Sequence, residues 1–278
     1  MKKNTFTKNF NLKNYTTIKV GGVTEYFAEP TNLEEFTNLI EWSHLNNQKC
    51  RIIGAGSNLL INNIFLKGLI ICTKKMRSAT IDLNTGIVEA ESGLMLPTLS
   101  NLLAKNGLQG GEWAVGIPGT LGGAIFMNAG SGNFSLANNL ISLKVINTKT
   151  LKRLEIEKKD IEFKYRFSPF QHNDLVIVSA KLHFEPKGNI QKLIQTTKNN
   201  LKLKTETQPY HLPSFGSVFK NPENNYAAKL IDDIGLKGFK IGGAEISTMH
   251  ANFIVNNSSA SSKDIFDLIT LIQQKVLQ

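Results

Sequence analysis

GGEWAVGIPGTLGGAIFMNAG, residues Gly110 to Gly130, holds seven glycines in twenty-one positions, with Pro118 and Asn128 at further turn positions. That density makes a poor helix and an interrupted strand, because glycine loses more backbone freedom on folding than any other residue. Glycine also lets the backbone approach a ligand closely and adopt positive φ, and successive N–H groups in such a turn can form a nest for a diphosphate. The stretch therefore reads either as a cradle for a phosphate-bearing cofactor or as a plain glycine-rich connection between strands.

The segments around it alternate between the two secondary-structure periods. Just upstream, LMLPTLSNLLAKNGLQG sets Pro97 near a helix start and Gly107 past its end. Before that, Asn84, Thr85 and Gly86 separate two alternating runs, a hairpin signal, and GLIICT (Gly68 to Thr73) is a strand. RIIGAGSNLLI (Arg51 to Ile61) is a strand entering a glycine turn, preceded by a helix with Leu33, Phe36, Ile40 and Ser43 on one face. Thr31 three residues before Glu34 predicts the capping box of that helix, which ends near Asn46 or Asn47. Downstream, two runs flank a Thr148 to Lys152 turn, and LVIVSAKLHFEP (Leu175 to Pro186) is a long strand. From Gly188 an amphipathic helix is predicted with Ile190, Leu193, Ile194 and Leu201 on its apolar side. A helix over Ala227 to Ile234, the strand ANFIVN and a last helix capped by Ser261 and Asp264 follow.

A chain of 278 residues exceeds a usual single domain. Its net charge of +10 comes from lysines spread along the sequence, with no run of five basic residues. That distribution suits small anionic ligands better than a nucleic-acid groove, so no nucleic-acid partner is expected. The two cysteines, Cys50 and Cys72, lack metal-ligand spacing and read as reduced core thiols, and no metal is expected. The basic start has no apolar block behind it and no stretch nears the ~18 apolar residues of a membrane span. A cytoplasmic protein without membrane insertion is the expectation.

Three short stretches are richer in polar groups than a core requires. They are KYRFSPFQ with Tyr165 and Arg166, PSFGSVFKNP with Ser214, Ser217, Lys220 and Asn221, and GGAEISTMHANFIVN with Glu245, His250 and Asn252. Each alone is also consistent with a surface ion pair, a loop hydroxyl or a solvated histidine. HExxH, GxSxG, a Walker lysine and a strand-borne GxGxxG are all missing, which argues against a zinc protease, a hydrolase elbow, a P-loop and a Rossmann site.

Taken in order, GAGSNLL (Gly54 to Leu60), GIPGTLGGAIFMNAG (Gly116 to Gly130), YRFSPF (Tyr165 to Phe170), GSVFKNP (Gly216 to Pro222), GLKGFKIGGAEIS (Gly235 to Ser247) and HANFIVN (His250 to Asn256) resemble the UDP-N-acetylenolpyruvoylglucosamine reductase family in its compact variety. The resemblance runs from about Asn14 onward. It implies an α+β protein of three domains: residues 1–75 and 76–187 as a vanillyl-alcohol-oxidase-type FAD-binding pair, and 188–278 as a smaller substrate domain. FAD would be bound, NADPH would be the co-substrate that reduces it, and a UDP-sugar enolpyruvyl ether would be reduced, in a protein expected to be a monomer. The residues implied at the cofactor are Gly54, Ala55, Gly56, Ser57, Asn58, Leu59, Gly116, Ile117, Pro118, Gly119, Thr120, Gly122, Gly123, Ala124, Asn128 and Gly130. Arg166 is implied as the cation that stabilises the enolate and Ser217 as the proton donor, with Tyr165, Lys204, Lys220 and Asn221 as substrate contacts.

The family also carries a glutamate on a short strand beyond its last helix, and no residue before Gln278 matches it. That departure implies a second reading, a flavin- or UDP-sugar-binding protein with impaired turnover; another flavin-dependent oxidase of the same fold is a third. Glu112 and Glu245 are the candidates to replace that carboxylate. Phe215 stands where the family has a small residue, which implies an altered pocket beside Ser217.

Overall fold

The computed structural model describes residues 6–62 and 64–277; the basic start Met1 to Thr5 and the terminal Gln278 lie outside the described residues. The chain divides into two compact units, one of residues 1–9, 24–55 and 67–201, the other of 10–23, 56–66 and 202–278.

The first unit contains two sheets. One has the order β1-β2-β4-β3, from β1 (Thr7–Asn11), β2 (Val23–Ala28), β3 (Cys50–Ile53) and β4 (Phe65–Cys72), with β3 and β4 parallel. Helix α1 (Leu33–Leu45) connects β2 to β3 and buries Phe36, Leu39, Ile40 and Ser43. Its cap lies one residue later than expected. Asn32 accepts from the Glu35 N–H at 2.9 Å, while the Glu35 carboxylate takes the Thr31 N–H and hydroxyl at 2.7 and 2.9 Å. Both registers set a capping side chain three residues before a glutamate; Asn32 takes the cap, while Glu35 reaches back to Thr31.

The second sheet is antiparallel throughout, in the order β10-β9-β11-β6-β5. It is built from β5 (Ala79–Asp82), β6 (Ile87–Glu91), β9 (Leu140–Asn147), β10 (Arg153–Glu157) and β11 (Leu175–His183). The β5–β6 turn falls at Asn84 to Gly86 as expected, with Gly86 at φ +70° and its Cα facing the Phe184 carbonyl. Between β6 and β9 lie α2 (Leu96–Lys105), α3 (Leu121–Phe126), the two-residue pair β7 (Gly130–Ser131) and β8 (Phe134–Ser135), and α4 (Leu136–Asn139). Their apolar side chains pack on one face of the sheet around Leu143, Val145, Ile177 and Leu182. On the other face, Ile146 and Val178 join the core beneath α1. Ile177 and Val178 are thus adjacent in sequence and both buried, because this sheet is covered on both sides.

Helix α5 (Ile190–Thr207) departs from its predicted face. Leu193 and Thr197 are buried, whereas Ile190 and Leu201 are exposed. Helical spacing alone does not say how long a helix keeps a neighbour.

The second unit is a four-stranded sheet in the order β12-β15-β14-β13, from β12 (Ser214–Ser217), β13 (Lys240–Ile241), β14 (Ala244–Ile246) and β15 (Phe253–Asn256). Helices α6 (Ala227–Asp233) and α7 (Ser262–Val276) contribute Ile231, Ile265, Leu268 and Ile272 to its core, and Ile18 and Val20 join from far upstream. The Ser261 and Asp264 capping box opens α7 as predicted. Asn256 fastens this arrangement: its amide donates to the Ile18 carbonyl at 3.0 Å and its oxygen accepts from the Ala260 N–H at 2.8 Å, all buried. Asn256→Ala leaves both backbone groups without partners and should cost about 2–4 kcal/mol. Urea denaturation checks this, and an unchanged midpoint would show that the fastening is dispensable.

Both cysteines are free, Cys72 buried and Cys50 half-buried. Burial pushes each thiol up to about 11, so they stay protonated and unreactive at neutral pH. Among the described residues no helix is long and apolar enough to cross a membrane, and no cluster of His, Cys, Asp or Glu could hold a metal ion.

Candidate active site

In the first unit the strand β3 ends in the Gly54 turn, directly against the glycine-rich stretch. A Cβ added at Gly54 would lie 2.1 Å from Thr120 Oγ1, so only glycine lets these two segments meet. Thr120 in turn caps α3, its hydroxyl accepting from the Gly123 N–H at 3.4 Å. The predicted poor helix is here a short one of six residues, docked by backbone bonds on the chain that leaves β6. Leu121 N–H donates to the Leu94 carbonyl and Gly122 N–H to the Ser92 carbonyl, both at 2.8 Å. At Gly122 an added Cβ would come within 2.8 Å of Ser92 Cβ.

These features suit a phosphate-bearing group. The motifs Gly54 to Leu60 and Gly116 to Gly130 contain no acidic side chain, so nothing within them opposes an anion. Ser92 Oγ beside Gly122 is buried without a hydrogen-bond partner. A buried hydroxyl of that kind is costly unless something pairs with it. The other half of the first motif, from Gly56 onward, belongs to the second unit, where Gly56 adopts φ +66° with its Cα against the Tyr15 carbonyl.

The far end of the same stretch is met by Arg166. Lys164 and Phe167 close a tight turn with paired backbone bonds at 3.2 and 3.1 Å, leaving Tyr165 and Arg166 at its tip. Arg166 takes φ +53° there. Its guanidinium donates to the carbonyls of Asn128 at 3.4 Å and Gly130 at 3.1 Å, and it lies over the exposed Tyr165 ring at 5.1 Å. Ser168 and Gln171 fix the following residues by donating to the Phe126 carbonyl at 2.7 and 2.9 Å. These two anchors were not singled out in the sequence; the only signal is a serine ahead of Pro169.

In the second unit Ser217 is exposed at the end of β12. Ser214 faces Val255 and Ser217 faces Phe253, so β12 has one residue more than its partner. Without that bulge Ser217 would share a face with Phe215, which is in the core. Gly216, at φ +81°, supplies the turn that sends Ser217 outward. Phe215 packs into the core of the second unit, while Ser217, two residues on, is exposed.

The loop after Ser217 is held by buried Asn252, whose amide donates to the Phe219 carbonyl at 2.9 Å and whose oxygen accepts from the Phe219 N–H at 2.8 Å. Lys220 and Asn221 follow, both exposed, and Asn221 accepts from the Ala227 N–H at the start of α6. His250 accepts from the Asn252 N–H through Nδ1. Burial lowers its pKa, against a backbone hydrogen bond that raises it, and the positive charges of Lys204 and Lys237 add to the lowering. Lys204 thus lies within electrostatic reach of the Ser217 and Asn252 loop's neighbour.

Neither candidate replacement carboxylate is idle. Glu112 accepts from the Gly110 N–H at 3.0 Å, and Glu245 accepts from Asn257 at 2.6 Å and pairs with Lys240 at 3.4 Å.

Comparison with known proteins agrees with both halves of this picture. A family profile described as FAD binding domain matches residues 24–150, and one described as UDP-N-acetylenolpyruvoylglucosamine reductase, C-terminal domain, matches residues 208–278. A UDP-N-acetylenolpyruvoylglucosamine reductase of Prochlorococcus marinus subsp. pastoris (strain CCMP1986 / NIES-2087 / MED4) is 75% identical over all of this chain and 94% of its own length. One from Prochlorococcus marinus (strain MIT 9313) is 48% identical over 96% of this chain and 87% of its own length. The crystal structure of the Thermus caldophilus reductase superposes with a TM-score of 0.81 at 30% identity, covering 95% of this chain and 93% of that one. The α+β fold, the FAD-binding domain and these full-length matches together establish that the chain belongs to the UDP-N-acetylenolpyruvoylglucosamine reductase family of flavin-dependent oxidoreductases.

Proposed function

We propose that this protein reduces UDP-N-acetylglucosamine enolpyruvate to UDP-N-acetylmuramate with NADPH, a cytoplasmic step of peptidoglycan precursor synthesis on which cell shape and division depend. The observation that carries the reading is Arg166, a cation fixed by two carbonyls at the end of the glycine-rich stretch. The backbone of Gly54 to Leu59 and Gly116 to Gly130 would hold FAD, which when bound supplies hydride chemistry between NADPH and the β-carbon of the enol ether. Negative charge then builds on the adjacent carbon and its carboxylate, where the Arg166 guanidinium opposes it through charge-assisted contacts. Ser217 delivers the proton to that carbon, so that one hydride and one proton add across the double bond and NADP⁺ is the other product. A hydroxyl is a weak acid in water and works here only in a site from which water is excluded.

Tyr165, Lys220 and Asn221 contact the substrate, and Lys204 faces its diphosphate. The domain limits 1–75, 76–187 and 188–278 and a monomeric state belong to the same reading. Purified protein should be yellow, and its NADPH oxidation should depend on added enolpyruvyl UDP-sugar, with the lactyl product detected in equal amount. Oxidation that proceeds at full rate with oxygen alone would favour an oxidase instead.

A further inference from the structure

We propose that Asn128 is the positioning residue for Arg166, acting through the turn that carries it; the proposal rests on the role assigned to Arg166 above. Asn128 is buried, 8% exposed, and sits at φ +41°, a conformation asparagine tolerates better than most residues. Its side chain and main chain grip the same turn. Nδ2 donates to the Lys164 carbonyl at 3.0 Å, two residues ahead of Arg166, and the Asn128 carbonyl receives Arg166 Nη1 at 3.4 Å. Oδ1 accepts from the Ala137 N–H at 3.4 Å, which ties the amide to the start of α4. On the other side of the turn, Gln171 Nε2 bonds both the Phe126 carbonyl at 2.9 Å and the Arg166 carbonyl at 3.4 Å.

Arginine is long and rotamer-rich, and a guanidinium helps a developing charge only if it is in place beforehand. Here the turn is also held in a left-handed conformation that arginine does not favour by itself. Asn128 supplies the hold. A glycine could adopt the same φ but would lack the amide, which makes Asn128→Gly the informative substitution: it removes the grip without adding backbone strain.

The test is a double-mutant cycle on the FAD-loaded full chain, comparing Asn128→Gly, Arg166→Lys and both together. Flavin affinity is read by fluorescence, stability by thermal melting, and the reoxidation of NADPH-reduced flavin by the enolpyruvyl UDP-sugar by absorbance. Asn128→Gly should slow reoxidation about tenfold or more, since misplacement by an ångström can cost up to ~10²-fold. Rates are compared at saturating flavin, so that any change at the cofactor, where Asn128 is also placed, does not enter them. In the Arg166→Lys background the same change should cost less than about twofold, because two residues acting as one unit are not additive. Gln171→Leu, which loosens the same turn from its other side, should repeat the pattern and serves if Asn128→Gly does not fold. Equal losses in both backgrounds, or no loss in either, would overturn the positioning role while leaving the reaction intact. An unmodified chain that never reoxidises would overturn the reaction and the positioning with it.

Discussion

Ser217→Ala should slow reoxidation of the reduced protein by the enolpyruvyl UDP-sugar by about 10²–10⁴, the range a positioned general acid contributes. In barrier terms that is about 2.7–5.5 kcal/mol. The same variant should accept electrons from NADPH at nearly the original rate and melt at nearly the original temperature. Its stability is spared because Ser217 is exposed and the bulge at Gly216 sends its side chain away from the core that Phe215 fills. Stopped-flow absorbance separates the two half-reactions. Equal slowing of both would remove Ser217 from the acid's role and make it a general determinant of the site.

Gly54→Ala should abolish retention of flavin through purification and weaken flavin binding by about 10² or more. The new methyl group would lie 2.1 Å from Thr120 Oγ1 and 3.2 Å from its Cβ and Cγ2. Thr120 has nowhere to go: it is 1% exposed, and its hydroxyl is the cap of α3. Relieving the clash means moving the Gly54 turn off the glycine-rich stretch or surrendering the cap, at roughly 1–3 kcal/mol of overpacking. Thr120→Ala removes the obstructing atom. The double variant should therefore be more stable than the sum of the two single losses predicts, which chemical denaturation measures directly. A Gly54→Ala protein that binds flavin and unfolds like the unmodified chain would show that the close approach of these segments is not needed.

The local devices were legible in the sequence because each is written within a few residues. The Asn84 to Gly86 hairpin, the Pro97 and Gly107 limits of α2 and the Ser261 box of α7 depend on nearest neighbours alone. The cap of α1 falls on Asn32, one residue past Thr31, since both precede a glutamate by three and the local pattern alone does not choose between them. Burial along α5 follows the predicted apolar face only at Leu193, since helical spacing does not say which part of a face a neighbour covers.

What the chain does not disclose locally is which distant segments join. Residues 10–23 and 56–66 belong with 202–278, and the bond from Asn256 to the Ile18 carbonyl spans 238 residues of sequence. The site shows the same limit. Arg166 and the glycine-rich stretch were each marked as unusual, but that the guanidinium rests on the carbonyls of Asn128 and Gly130 emerges only from the folded turn. Likewise the bulge that turns Ser217 outward needs the register of β15, which β12 alone does not specify.

The most direct measurement is anaerobic. The purified protein is reduced with one equivalent of NADPH, the enolpyruvyl UDP-sugar is added, and the flavin absorbance is followed while the product is identified by mass. Prompt reoxidation with formation of one lactyl UDP-sugar per flavin is the predicted result. Reduction that persists in the presence of the UDP-sugar would contradict the assignment and leave a flavin-binding protein without the substrate half-reaction.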